Sequence, residues 1–209
     1  MITITYKGAN AVKISSKKTN LIADPKLSLI GLKDLDVKDE VQLVTDSRLA
    51  VPDATSSVTF SSPGEYEVGD FTISGVAVKI ATDINTTNGT AYRITGEDIT
   101  IALLGNIAPV LDESQLEAIG MVDILIIPVG GNGYTLDAKD AARLTKQIEP
   151  KIVIPVHYAD NGVAYEVPQD EINLFTKEIG SEVTDLDALK IKSVNDMPQS
   201  LSTFVIHRS

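Results

Sequence analysis

The chain has 209 residues, 43% of them hydrophobic, enough for a self-sufficient core and too apolar for a disordered chain. Its formal net charge of −11 argues against nucleic-acid backbones and anionic membranes as partners, because both require clustered Lys and Arg. Cys is absent, which removes disulfides and thiolate metal sites.

Taken in chain order, Ile2–Tyr6 and Ala11–Ser15 alternate polar and apolar residues as strands do, and Asn20–Ala23 is a short extended run ending at Asp24-Pro25. The start lacks the basic-then-apolar order of a secretory signal, and no apolar run nears the ~20 residues that span a bilayer, so a soluble, cytoplasmic protein is expected. Val41–Thr45 is a further short strand, followed by Asp46-Ser47-Arg48. Val58–Phe60, Tyr66–Val68 and Phe71–Val78, separated by Pro63-Gly64 and Gly69-Asp70, read as antiparallel hairpins. Asn85–Gly89 reads as a loop, and Thr90–Thr95 and Asp98–Leu103 flank a tight turn at Gly96-Glu97.

The second half changes character. Ile124–Pro128 and Ile152–Val156 are continuous aliphatic runs, the mark of strands buried on both faces. Asp137–Glu149 between them has helical periodicity, with Asp137 as cap and Pro150 as stop, so the unit predicts a right-handed crossover into a parallel pair. Glu113–Ile119 and Gln169–Ile179 are shorter helices, and Leu189–Val194 and Thr203–His207 read as closing strands. No linker rich in Gly, Pro or Ser divides the chain, so one domain over residues 1–209 is expected.

Ligands gather at the carboxyl ends of strands in open α/β sheets, and His157 stands at one such end, after Val156. A lone His beside buried strands reads first as a hydrogen-bonded core residue, with a ligand or catalytic imidazole as the alternative. Gly130-Gly131-Asn132-Gly133 lacks the Lys-Ser/Thr of a phosphate loop and the third Gly of a dinucleotide fingerprint, so it reads as a tight strand-to-helix connection. His207 reads as a surface residue.

Several stretches resemble the small hydrolase-like members of the metallo-β-lactamase superfamily, the branch that includes ascorbate-phosphate lactonase relatives. They are Tyr6-Lys7-Gly8-Ala9-Asn10, Ile22-Ala23-Asp24-Pro25, Ser62 through Gly69 with Ile73-Ser74-Gly75-Val76, Leu104-Gly105-Asn106, Ile126 through Gly131, and Ile154-Pro155-Val156-His157-Tyr158. The likeness runs from about residue 2 to about residue 207 and implies an α/β fold, the four-layer αββα sandwich with mixed sheets and helices outside. It also implies two metals held by a His-x-His-x-Asp-His run, a later His, a bridging Asp and a final His. Here the three histidines of the run fall on Asp46, Arg48 and Val51, and its aspartate falls on Ala50. The later His falls near Ile80, the bridging Asp on Asn106, and the His after the first strand's Gly on Ala9. Only His157 is retained.

Catalytic zinc usually takes three protein ligands and an open water position. A guanidinium ~4 Å from a dication, at an effective dielectric of ~20, would repel it by roughly 8 kcal/mol. The leading expectation is therefore a non-catalytic binding or interaction protein without a cofactor, its cleft lined by Asp24, Asp46, Arg48, Asn106 and His157. Arg48 would pair with Asp46 or Asp24 in place of metal. The alternative is a lactone- or phosphoester-class hydrolase in which Asp24, Asp46, Asn106 and His157 hold one divalent ion such as Mg²⁺ or Mn²⁺. A third reading is a subunit acting through oligomer contacts. The expected partner is a small molecule or protein that the sequence does not name.

Overall fold

The computed structural model describes residues 1–52 and 58–209. The first half supplies β1 (Ile2–Gly8), β2 (Ala11–Ser15), β3 (Asn20–Ala23), β4 (Val41–Leu43) and β5 (Val58–Phe60), then β6 (Gly64–Val68), β7 (Phe71–Val78), β8 (Gly89–Gly96) and β9 (Ile99–Leu103). The second half alternates: α1 (Glu113–Ile119), β10 (Ile124–Pro128), α2 (Ala138–Ile148), β11 (Ile152–Val156), α3 (Ile172–Ile179), β12 (Glu182–Leu186), β13 (Leu189–Ile191) and β14 (Ser202–Ile206). They form two mixed sheets, six strands in the order β13-β1-β2-β3-β4-β5 and eight in the order β12-β14-β11-β10-β9-β8-β7-β6.

The periodicities decide which face goes where. In β1, Ile2, Ile4 and Tyr6 are buried while Thr3, Thr5 and Lys7 between them are half-buried, so one face meets the other sheet. That inner layer joins Ile4, Ile14, Leu21 and Leu43 of the smaller sheet to Ile73, Ile94, Ile101, Ile126 and Ile154 of the larger. Each such side chain contributes about 1.5–3 kcal/mol by leaving water. β10 and β11 are buried at every residue, as their unbroken aliphatic runs predict. Ile124 and Ile126 face the inner layer; Leu125 and Ile127 face the helices, against Ile119, Leu144 and Phe175. The two strands pair in parallel around α2, whose cap Asp137 accepts from the Asp140 N–H at 2.8 Å. The three α-helices belong to the larger sheet. The outer face of the smaller one is covered by the 3-10 turn Leu27–Ile30, by Leu32 and Leu35, and by Val163 and Tyr165. No helix among the described residues is long and apolar enough to cross a membrane.

Three predicted elements come out differently, and one strand was not predicted. Val58–Phe60 is not half of a hairpin with Tyr66–Val68: β5 pairs in parallel with β4, Leu43 opposite Phe60, so Pro63-Gly64 lies on the passage from one sheet to the other. The Gly69-Asp70 hairpin does form, with Val68 opposite Phe71, as does the tight turn after Gly96, where Glu97 and Asp98 take φ of 52° and 62° as a type I′ turn requires. The helix predicted from Gln169 starts at Ile172, which frees Gln169 for another role, and β13 stops at Ile191 before a 3-10 turn at Val194–Asp196. β12 has no counterpart among the predicted elements: it is an edge strand in parallel with β14, and its Glu-Val-Thr-Asp-Leu composition hides it.

Candidate functional site

A cavity of about 710 Å³ opens where the ends of β1, β3 and β11 converge, and Ala9, Asn10, Asp24 and His157 lie in its wall just beyond those strands. Ala9, Asp24 and His157 all take left-handed backbone, with φ of 48°, 48° and 53°. Such conformations cost a non-glycine residue of order 1–3 kcal/mol and gather at functional sites. The His157 N–H donates to the Ala9 carbonyl at 2.9 Å, fastening the larger sheet to the smaller at the cavity wall.

The imidazole is held in one tautomer. Gln169 donates its amide N–H to the Val167 carbonyl at 2.7 Å, which turns its oxygen toward His157 Nδ1 at 3.1 Å. That network assigns the ring proton to Nδ1 and leaves Nε2 as a lone pair with no hydrogen-bond partner among the described residues. Burial lowers the His157 pKa to about 4, so the ring is neutral at physiological pH. Tyr134 and Tyr165 flank the ring at centroid distances of 5.6 and 4.9 Å. Gly130 makes room for this: a Cβ there would collide with the Gln169 Oε1 and the His157 carbonyl.

Asp24 is 2% exposed and accepts twice from Thr45, from its N–H at 2.8 Å and its hydroxyl at 2.7 Å. Burial, the largest influence, raises its pKa to about 7 despite these bonds. Gly105, at φ 64°, lets Thr45 sit here, since a Cβ at that position would run into the Thr45 side chain. Asp46 caps the 3-10 turn Ser47–Leu49 and is bound by Arg48 through the backbone N–H at 3.0 Å, Nε at 3.0 Å and a terminal amine at 2.7 Å. This bond holds the Arg48 pKa above its ordinary value. Of the two pairings open in the sequence, Arg48 takes Asp46, and its guanidinium also lies 5.8 Å from the Tyr134 ring centroid.

The five predicted cleft residues therefore divide. Asp24, Arg48 and His157 line the cavity; Asp46 and Asn106 do not. Asn106 sits behind the wall, where its Oδ1 accepts from Asn10 Nδ2 at 2.8 Å. The predicted charge repulsion is also smaller than an isolated guanidinium implies, because Asp46 neutralises Arg48. The obstacle to a metal is the donor set itself. Asp46 is engaged by a cation and Asn106 by an amide, which leaves Asp24 and His157, one short of the three protein ligands a catalytic zinc usually takes. No group of three His, Cys, Asp or Glu among the described residues is arranged to hold a metal ion. The predicted four-residue divalent site does not fit this geometry.

Asn10, Lys26, Tyr134, Tyr165, Glu166 and Gln169 also belong to the site and were not predicted. Asn10 had a signal, since it closes the Tyr6–Asn10 stretch two residues past Gly8, the last residue of β1. Gln169 had none: a polar residue at an expected helix start looks like a cap.

A match to the family described as the beta-lactamase superfamily domain covers residues 3–157. A UPF0173 metal-dependent hydrolase of Anoxybacillus flavithermus is 25% identical over 82% of this chain and 92% of its own. Another, from Carboxydothermus hydrogenoformans, is 47% identical over 47 residues, 22% of this chain and 20% of its own length. A metallo-β-lactamase superfamily structure from Thermotoga maritima superposes with a TM-score of 0.76 at 22% identity, covering 99% of this chain and all of that one. At that identity the superposition shows the fold alone. The sheet order, the cavity at the strand ends and the family match agree: the chain is a metal-dependent-hydrolase-like protein of the metallo-β-lactamase fold and belongs to the β-lactamase superfamily.

Proposed function

We propose that this chain is a binding protein that takes a small organic molecule into the cavity beside His157, in place of dinuclear metal hydrolysis. The observation that carries the reading is the Asp46–Arg48 pair: a carboxylate at a position the family gives to a metal ligand is held by a covalently attached cation. The cavity has the size and mixed lining of a small-molecule site, with Leu27, Ile30 and Leu49 beside Asn10, Asp24 and His157. Elemental analysis of purified protein should find no stoichiometric zinc, manganese or iron. One metal per chain, lost in His157→Ala, would overturn the reading.

The relatives' names favour a second reading, a metal-dependent hydrolase with at most one ion. It needs Asp24 and His157 as ligands, because Asp46 would have to release Arg48 and Asn106 would have to release Asn10. Its measure is the hydrolysis of lactone, ester and phosphodiester substrates with Mg²⁺, Mn²⁺ or Zn²⁺ added. A metal-dependent rate that disappears in His157→Ala would establish it, and equal negligible rates in both proteins would dispose of it.

A further inference from the structure

The charges around the cavity do not balance. Of the basic residues in its wall, Arg48 is paired with Asp46 and Lys26 with Asp34 at 2.9 Å, so each brings its own counter-charge. The wall's two acids, Asp24 and Glu166, form no ion pair among the described residues. The unused hydrogen-bonding capacity has the same sign. Asn10, 2% exposed and part of the wall, carries a side-chain oxygen without any partner. His157 offers the lone pair on Nε2. Each Asp24 oxygen spends one acceptor position on Thr45 and keeps another. Three neighbouring groups therefore offer acceptors, two aromatic faces (Tyr134 and Tyr165) flank the imidazole, and no unpaired donor of positive charge stands among them.

We propose that the cavity binds an organic cation, an alkyl amine whose protonated nitrogen sits among Asp24, Asn10 and His157 while its apolar body lies on Leu27, Ile30 and Leu49. The claim rests on the binding reading above and adds the chemical class of the ligand. An ammonium group brings three N–H donors, the number the three acceptors can take, and its charge offsets that of Asp24. The Tyr165 ring adds attraction for a cation that it does not offer a carboxylate, while the Tyr134 ring already carries Arg48. An inorganic ion would satisfy the same acceptors but leave the apolar half of the cavity unfilled.

Calorimetric titration of the whole chain at pH 8 with n-hexylamine, n-hexanol and n-hexanoate tests this directly. Hexylamine should bind saturably, and hexanol and hexanoate at least roughly tenfold more weakly, as expected when charged hydrogen bonds are lost. Asp24→Asn should weaken hexylamine by about 10- to 100-fold, and Glu166→Gln, at the rim, by less. Circular dichroism on each variant separates lost binding from lost folding. Hexanol binding as tightly as hexylamine, or hexanoate binding more tightly, would overturn the amine class while leaving a small-molecule pocket. No response to any of the three would overturn it too. If, in addition, Mg²⁺ or Mn²⁺ raised the melting temperature of the native chain but not of His157→Ala, the binding reading itself would fall in favour of the hydrolase.

Discussion

Replacing Asp24 by Asn should change how stability depends on pH, because this carboxyl keeps its proton in the folded chain long after it would lose it in the unfolded one. Burial moves its pKa from 3.8 to about 7. Between those values the folded state binds the proton and the unfolded state does not, so stability falls as pH rises. The stability this group lends is fully present below pH 3.8 and is gone once pH has passed about 7. A difference of about 3 units is worth about 4 kcal/mol at 1.36 kcal/mol per unit, and at 2% exposure little of it is screened. Asn is isosteric: its oxygen accepts the Thr45 N–H, and its amide donates to the Thr45 hydroxyl, which turns to receive it. Urea denaturation of both proteins at unit steps from pH 4 to pH 9 gives the difference in unfolding free energy at each pH, and groups common to both cancel. That difference should move in favour of Asn by about 4 kcal/mol between pH 4 and pH 8 and then level. A constant difference would refute the raised pKa; movement in favour of Asp would show that a positive charge reaches the carboxylate inside the fold.

The other tests bear on neighbouring groups. His157 should titrate with a midpoint near 4 by NMR, and its contribution to stability, full above pH 6.5, should be lost as pH falls toward 4; a midpoint at or above 6.5 would contradict its burial. Arg48→Ala should cost about 1–3 kcal/mol by leaving the buried Asp46 with only a backbone donor, and Asp46→Asn in that background should recover part of the loss; additive losses would show that the pair is not coupled. Gly130→Ala should destabilise by about 1–3 kcal/mol and displace Gln169 from His157, read as a change in the His157 titration; unchanged stability and titration would mean that the strand end yields freely.

What the sequence disclosed and what it hid divide along contact range. β10, α2 and β11 were legible because burial on two faces writes an aliphatic run and burial on one writes a helical period. His157 was legible as a strand-end residue. The pairing of Arg48 with Asp46 is two residues long, so the sequence held it as one of two options. Asn10 and Asn106 lie 96 residues apart, and Gln169 meets His157 only because its helix begins three residues later than the periodicity predicts. No local pattern encodes such meetings. β5 hides its partner for a related reason: a Pro-Gly step between two short apolar runs looks the same whether the chain turns back on its own sheet or passes to the opposite one.

The segment after β4 bears on whether histidines set where the family resemblance implies them could meet around a metal. β4 ends at Leu43, and residues 47–49 form a 3-10 turn, so inward and outward positions no longer alternate as they would along a strand. Arg48 and Leu49 reach the cavity. Val51, onto which the resemblance carries the last histidine of the family's run, packs on Ile22 and Val37 on the far side of β3, and its N–H donates to the Gln42 side chain at 2.9 Å. Val51→His would bury an imidazole against Ile22 and Val37, at a cost of roughly 1–3 kcal/mol, and would bring no ligand to His157. Zinc titration of the Asp46→His, Arg48→His, Val51→His variant should therefore bind no more tightly than the variant with Val51 retained. Tighter binding that depends on the third histidine would show that this segment can re-form around a metal, and that the ion pair occupies a site the fold still holds open.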